Sequence, residues 1–287
     1  MDIQIRPATP ADAEECGRII YEAFKGVAER HDFPPDFPSA DAGAQLAHLL
    51  INDPAVFGVV AESGGRVVGS NFISEWDPIR GVGPITIDPN VQSRGIGRRL
   101  MEAVIERGRG AAGVRLVQDS FNTASLSLYA GLGFEVKEPL ALMEGAPAGE
   151  PPAGVEVRPM REEDLGAASE LCERAYGFPR AGEIEALAPA LRPFVALREG
   201  RMVAYATAPN LWSLGHAVAE GEEDMRALLT GAATQTGEHL SFLLPTRQAG
   251  LFRWCLSRGM RVVKAMTLMA TGEYREPRGS YLTSVLY

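Results

Sequence analysis

Apolar and polar positions alternate through Ile3-Gln-Ile5-Arg6, and beyond Pro7 apolar residues recur at Ile19, Ala23 and Phe24. The first pattern predicts a short half-buried strand. The second predicts an amphipathic helix, with Thr9 as N-cap and Pro10 at the first helical position. Two apolar strands are expected next, Val56 to Ala61 and Arg66 to Ser74, joined by a turn at Gly65. Ile85 and Ile87 alternate as in another strand, which Pro89 ends. From Gly97 onward, Leu100, Met101, Val104 and Ile105 keep helical spacing, and Val114 to Gln118 reads as a strand.

The same order begins again in the second half. Val155-Glu-Val157-Arg158-Pro159 with Asp164, Leu171, Ala175 and Tyr176 repeats Ile3-Gln-Ile5-Arg6-Pro7 with Asp12, Ile19, Ala23 and Phe24, each pair 152 positions apart. Gly65-Arg66-Val67-Val68 is echoed by Gly200-Arg201-Met202-Val203, and Gly133-Phe134-Glu135-Val136 by Gly259-Met260-Arg261-Val262. Three echoes in one order favour duplication, and two copies are too few for a solenoid. The Pro- and Gly-rich stretch from Glu144 to Gly154 reads as a linker. The expected organisation is a domain over 1–143, a linker over 144–154 and a domain over 155–287. The end, from Ser280 to Tyr287, reads as a strand completing a sheet.

A length of 287 residues with 46% hydrophobic and 23% charged positions suits two buried cores and excludes a disordered polar chain. No apolar stretch approaches the ~18 residues of a spanning helix, and the start lacks a signal-peptide pattern, so a cytoplasmic protein without a membrane partner is expected. Cys16, Cys172 and Cys255 form no CxxC, the four histidines are scattered and HExxH is absent, which points to reduced core thiols and no metal. The formal charge is -9, with 13 basic and 19 acidic residues up to Met143 and 15 against 18 beyond it. Neither half has the basic surplus of a nucleic-acid binder, and an acidic surface tolerates cationic substrates such as amines.

The chemistry concentrates at Asp88-Pro89-Asn-Val91-Gln92-Ser93-Arg94-Gly95-Ile96-Gly97-Arg98-Arg99, where a strand feeds a helix. Glycines there let backbone N–H groups approach an anion, the helix N-terminus adds partial positive charge, and Arg94, Arg98 and Arg99 add guanidinium groups. The segment reads as a diphosphate cradle. GxxxxGK[ST] is absent, and Gly95-Ile-Gly97-Arg-Arg-Leu100 lacks the third glycine of the dinucleotide fingerprint. Gly108-Arg-Gly110-Ala-Ala-Gly113 does satisfy GxGxxG, but it joins a helix to a strand, the reverse of the dinucleotide context.

Gln92-Ser-Arg-Gly95-Ile-Gly97 resembles the [Q/R]xxGx[G/A] coenzyme loop of the GNAT superfamily of N-acetyltransferases. Asn122 and the following Leu128-Tyr129-Ala-Gly131-Leu-Gly133-Phe134 resemble that family's next motif. The resemblance implies an α/β (α+β) fold of two tandem GNAT-like domains, each a mixed, mostly antiparallel sheet flanked by helices. It implies acetyl-CoA-dependent transfer to a primary amine, on a small molecule or a peptide, by direct attack in the first domain. Val91, Gln92, Arg94, Gly95, Ile96, Gly97, Arg98 and Arg99 would hold acetyl-CoA as co-substrate. Ile87 would give an N–H to the thioester oxygen, and Asn122 would contact the pantetheine arm. Tyr129 would protonate the departing thiolate, since an ordinary phenol near pKa 10 keeps its proton at neutral pH. Glu75, after the third strand, is the first candidate for general base, ahead of Asp77 and Asp119. The assembly would be a monomer or homodimer. The alternative is a non-catalytic acyl-CoA-binding regulatory module.

The second copy departs from the pattern. It has no [Q/R]xxGx[G/A], it places Glu220, Glu222, Glu223 and Asp224 where a diphosphate would lie, and aligning Gly259 with Gly133 puts Cys255 in the place of Tyr129. A degenerate domain that binds no coenzyme is expected, with Trp212, Phe252 and Trp254 in its core. Phe33-Pro-Pro-Asp-Phe-Pro38 suggests a stiff aromatic wall over the acceptor cleft.

Overall fold

The structure, a computed structural model, describes residues 3–91 and 95–286. In the N-terminal half, β1 (Gln4–Pro7), β2 (Val56–Ser63) and β3 (Arg66–Ser74) form an antiparallel sheet ending on β5 (Thr86–Ile87). The short β4 (Ile79–Gly81) leaves that sheet and runs parallel to β6 (Gly113–Asp119). Period-two alternation gives the first sheet two apolar faces. Val60 and Phe72 pack with Cys16, Ile19 and Ile20 of α1 (Ala13–Arg30), while Val59 and Ile73 pack with Leu100, Met101 and Val104 of α3 (Ile96–Arg107). α1 touches α2 (Ala40–Asn52) at backbone distance, since a Cβ on Gly17 would stand 2.3 Å from Ala44 Cα.

The C-terminal half repeats this order with β8 (Glu156–Pro159), β9 (Phe194–Arg198), β10 (Arg201–Ala206) and β11 (Ala217–Ala219). Its helices are α5 (Leu165–Tyr176), α6 (Ala181–Leu187) and α7 (Glu222–Thr236). The repeat extends to side-chain chemistry. Asp12 accepts from Arg6 at 2.8 Å and from the Thr9 N–H at 2.7 Å, and Asp164 accepts from Arg158 at 2.6 Å and from the Arg161 N–H at 2.7 Å. Each pair ties its strand to the start of its first helix.

Each half then runs strand, helix, strand: β6, α4 (Thr123–Ala130) and β7 (Glu135–Gly145) in the first, β12 (Leu240–Pro245), α8 (Ala249–Ser257) and β13 (Arg261–Gly272) in the second. These four strands make one sheet in the order β12-β7-β13-β6, with β4 outside β6. Each half thus inserts its long strand into the other: β13 separates β6 from β7, and β7 separates β12 from β13. β7 continues two residues into the expected linker, because Glu144 and Gly145 pair with Ser241 and Leu240. The final strand β14 (Ser280–Leu282) pairs antiparallel with β11, and the next residue, Thr283, donates its N–H to Leu243 of β12 at 3.1 Å. Cys16, Cys172 and Cys255 are buried free thiols, in line with the sequence. Among the described residues no helix is long and apolar enough to cross a membrane.

The Arg6 guanidinium holds the Asp12 carboxyl down at about 2, against an ordinary 3.8. That contribution is complete above about pH 4 and disappears as pH falls through the folded value. Asp12→Asn is expected to lower the unfolding free energy by about 1.5–3 kcal/mol at pH 7, the range for a hydrogen bond to a charged group. Urea melts should show the difference at neutral pH and near-coincident curves at pH 2.

Candidate active site

β5 ends one sheet and β6 belongs to another, and among the described residues no strand joins them. β4 pairs with Gly113–Arg115 only, so the outer edge of β6 is open from Leu116 to Asp119. A cavity of about 950 Å³ occupies this opening. Gly95, Ile96, Gly97 and Arg98 line one end, with Ile87 and Tyr129 also in its wall. At the duplicated position β14 pairs with β11, and Thr283 beside it bridges to Leu243 of β12.

Gly95 adopts φ +73, the left-handed region in which a side chain is strained, and it is the N-cap of α3 without a side-chain cap. The first-turn N–H groups of α3 are therefore not met by a capping side chain. A Cβ on Gly95 would meet no atom within 4 Å, so the space beside it is open. Gly97 is closely packed instead, 3.2 Å from Ile87 and 3.4 Å from Leu128 if given a Cβ. Of the other loop residues, Gln92 and Arg94 lie outside the described residues. Val91 is half-buried against the α3 core and is not in the cavity wall. Arg99 also turns elsewhere, donating to the Ile3 carbonyl at 2.6 Å, which corrects its place in the cradle.

Tyr129 sits on α4, 6% exposed, with its ring edge-on to Phe134 at 6.4 Å between centroids. Burial pushes its phenol up to about 12, so it stays protonated across the physiological range. Asn122 caps the same helix, accepting from the Ser125 N–H at 3.2 Å, and lines the cavity. Gln118 is 6% exposed in the cavity wall, and neither end of its amide has a hydrogen-bond partner. Asp88 donates its N–H to Val68 of β3. Antiparallel alternation therefore turns the Ile87 N–H toward the opposite edge, on the cavity side.

Residues 24–134 match the profile of the Acetyltransferase (GNAT) family. N-alpha-acetyltransferase RimI of Mycobacterium tuberculosis is 35% identical over 141 residues, 46% of this chain and 78% of that protein. The chain belongs to the GNAT superfamily. A tandem GNAT protein from the clavulanic acid biosynthesis pathway shares the fold over 94% of this chain and 98% of its own, with TM-score 0.58 and 14% identity. A Pyrococcus horikoshii crystal structure, provisionally designated an acetyltransferase, superposes over 99% of this chain and 94% of its own with TM-score 0.76 and 18% identity. The fold is therefore tandem GNAT, and the chain is an enzyme of the N-acetyltransferase class.

In this GNAT chain the three carboxylates expected near the acceptor end part company. Glu75 is held by Arg80 and by Arg107, the latter at 2.6 Å, and does not line the cavity. Two guanidinium partners satisfy it and draw it away, so the expectation of a general base at Glu75 is corrected. Asp77 is also turned from the cavity, accepting the N–H groups of Gly182 and Glu183 at 3.1 and 3.0 Å. Asp119 alone of the three lines the cavity, and Lys264 of β13 stands 2.8 Å from it. The same ammonium lies 2.6 Å from Asp36, a cavity residue from the expected aromatic wall. Burial raises the Asp36 carboxyl above its usual range, and Lys264 opposes that rise.

The C-terminal half of the GNAT fold supplies Trp212 to this wall, with its ring 5.2 Å from the Lys264 ammonium. Phe252 and Trp254 pack against the C-terminal core as expected, whereas Trp212 also borders the cavity. At the start of α7, Glu222 and Glu223 pair with Arg226, and Asp224 pairs with Arg198. Sequence reading missed Asp36 and Gln118 as cavity residues, and Lys264 as the partner of two cavity carboxylates. Asp36 lay within a flagged segment, but nothing local marked the other two.

Replacing Glu75 by Gln removes an ion pair and leaves the cavity wall intact. Its expected effect is a loss of about 1–2 kcal/mol in stability, read as a lower urea midpoint. Acetyl transfer per folded molecule should stay near wild type, and a large fall in kcat at unchanged stability would contradict this placement.

Proposed function

We propose that the N-terminal half transfers the acetyl group of acetyl-CoA to a primary amine by direct attack in the cavity between β5 and β6. The observation that carries this reading is the combination of an open strand edge, a helix N-terminus without a side-chain cap and a buried protonated tyrosine in one cavity. The α3 N-terminus and Arg98 suit a diphosphate, and Gly95 leaves room for it. On the sequence pattern, Val91, Gln92, Arg94, Ile96 and Gly97 complete that loop. The unpartnered Gln118 amide and the Asn122 side chain suit the amide groups of a pantetheine arm.

Acetyl-CoA enters as a substrate and supplies the thioester. The Ile87 N–H steadies the charge that develops on the thioester oxygen. The amine nitrogen bonds to the carbonyl carbon, and the carbon–sulfur bond breaks. Tyr129 gives its proton to the departing thiolate and regains one from the reacting nitrogen. The proton of the incoming ammonium leaves first, through a carboxylate at the acceptor end to water, with Asp119 the carboxylate in place.

Magnitudes rank these contributions. A positioned acid supplies about 10²–10⁴-fold, whereas orienting two reactants reaches effective molarities of ~10⁵–10⁸ M. Tyr129→Phe should therefore lower kcat by about 10²-fold or more and leave acetyl-CoA affinity unchanged. Gly95→Val should abolish acetyl-CoA binding in calorimetric titration, because its side chain fills the place of the diphosphate. Thiol release from acetyl-CoA with a panel of amines tests the reaction itself. Binding without turnover of any amine would favour the regulatory binding module instead.

A further inference from the structure

Beyond the coenzyme end, the cavity wall is assembled from both halves of the chain. The N-terminal half contributes Phe24, Phe37 and Trp76, and the C-terminal half contributes Trp212, Leu214 and Val285. Against this carbon surface stands a single charged cluster. Lys264 is 3% exposed at its side chain, between Asp36 at 9% and Asp119 at 10%, with ion-pair distances of 2.6 and 2.8 Å. Its formal charge is one negative. The other charged residues of the wall are Arg98, at the coenzyme end, and Arg30, which is exposed.

We propose that this composite pocket binds an amine with one cationic end and an apolar, ring-sized body, with Lys264 positioning Asp36 and Asp119 to receive the ammonium. The proposal deepens the acetyl-transfer reading and rests on it for the fate of the bound amine. A net negative cluster attracts the ammonium, and the aromatic and aliphatic wall receives the body. A polyamine would set further ammonium groups against carbon, and a peptide would leave backbone amides without partners. Lys264 has a distinct task. Its ammonium stands 2.6 Å from Asp36 and 2.8 Å from Asp119, and these two ion pairs fix where the carboxylates sit in the wall. Because Lys264 lies on β13, the C-terminal half completes the acceptor site without binding coenzyme.

The test compares phenethylamine, spermidine and an alanine-terminated tripeptide in the thiol-release assay, using the full chain. Phenethylamine should give a kcat/KM at least about tenfold above the other two. Lys264→Met should raise the KM for phenethylamine by about tenfold or more, with acetyl-CoA Kd unchanged, and Lys264→Arg should recover most of it. Equal or better use of spermidine or the tripeptide overturns the proposal, as does an unchanged KM in a folded Lys264→Met protein. Should Lys264→Met fail to fold, Asp36→Asn carries the same KM prediction. If acetyl-CoA binds but no amine turns over, the transfer reading fails, and the pocket is judged by tryptophan fluorescence. Saturable quenching of Trp76 and Trp212 by phenethylamine in the presence of coenzyme A, weaker in Lys264→Met, then supports the pocket. No quenching overturns it.

Discussion

Unpaired backbone groups on a buried strand edge are costly, and that constraint shapes the whole molecule. β6 and β12 each need a partner on their inner side, and each takes it from the opposite half. β13 pairs with β6 from Gly272 to Met266, and β7 pairs with β12 from Leu140 to Gly145. The junction between the halves is therefore a backbone ladder, and their cores fuse across it. Ile79, Leu140 and Leu142 share one apolar cluster with Leu171, Tyr205 and Leu268. Asp77 adds a polar tie by accepting two N–H groups at the start of α6. A pocket wall built from both halves can be well defined only because this ladder fixes their relative placement.

Duplication supplied two equivalent gaps between diverging strands, and the chain treats them differently. The gap in the N-terminal half stays open, with a glycine at the α3 cap and Tyr129 in the wall. Its counterpart is bridged where β14 pairs with β11 and the next residue, Thr283, donates its N–H to the Leu243 carbonyl of β12. The acidic residues of the second half follow the same logic. Glu220 pairs with Arg201, and the acids at the start of α7 pair with Arg226 and Arg198, so they stabilise a helix N-terminus locally. The buried Cys255 occupies the place of Tyr129 in the repeat, and burial pushes its thiol up to about 12. It packs as a small apolar residue.

Local pattern made much of this legible. The strand and helix pairs 152 residues apart are present in both halves, down to the Arg6–Asp12 and Arg158–Asp164 ion pairs. The position of Tyr129 on α4, in the cavity wall, also follows from its motif. Strand exchange was not legible, because the order strand, helix, strand is the same whether β7 pairs within its own half or with the other. Arg98 and Arg99 show why adjacent charges mislead: successive residues on a helix point about 100° apart, and only Arg98 lines the cavity. Glu75 and Asp77 sit at the right turn but face partners of their own. Lys264 and Asp36 are separated by 228 positions, so only the folded sheet brings them together.

Net charge and local charge pull in opposite directions in this protein. A formal charge of -9 repels an anionic coenzyme at long range. The capture proposed above therefore rests on short-range features, an α3 N-terminus without a side-chain cap and the guanidinium of Arg98 in the cavity wall. At the other end of the same cavity the requirement reverses, since the proposed cationic acceptor calls for negative charge inside an apolar wall. Asp36 and Asp119, with Lys264 shared between them, carry a formal charge of one negative. The lysine comes from β13, the strand that the C-terminal half must lend to complete the sheet, so the same exchange that satisfies the backbone also sets the charge of the pocket.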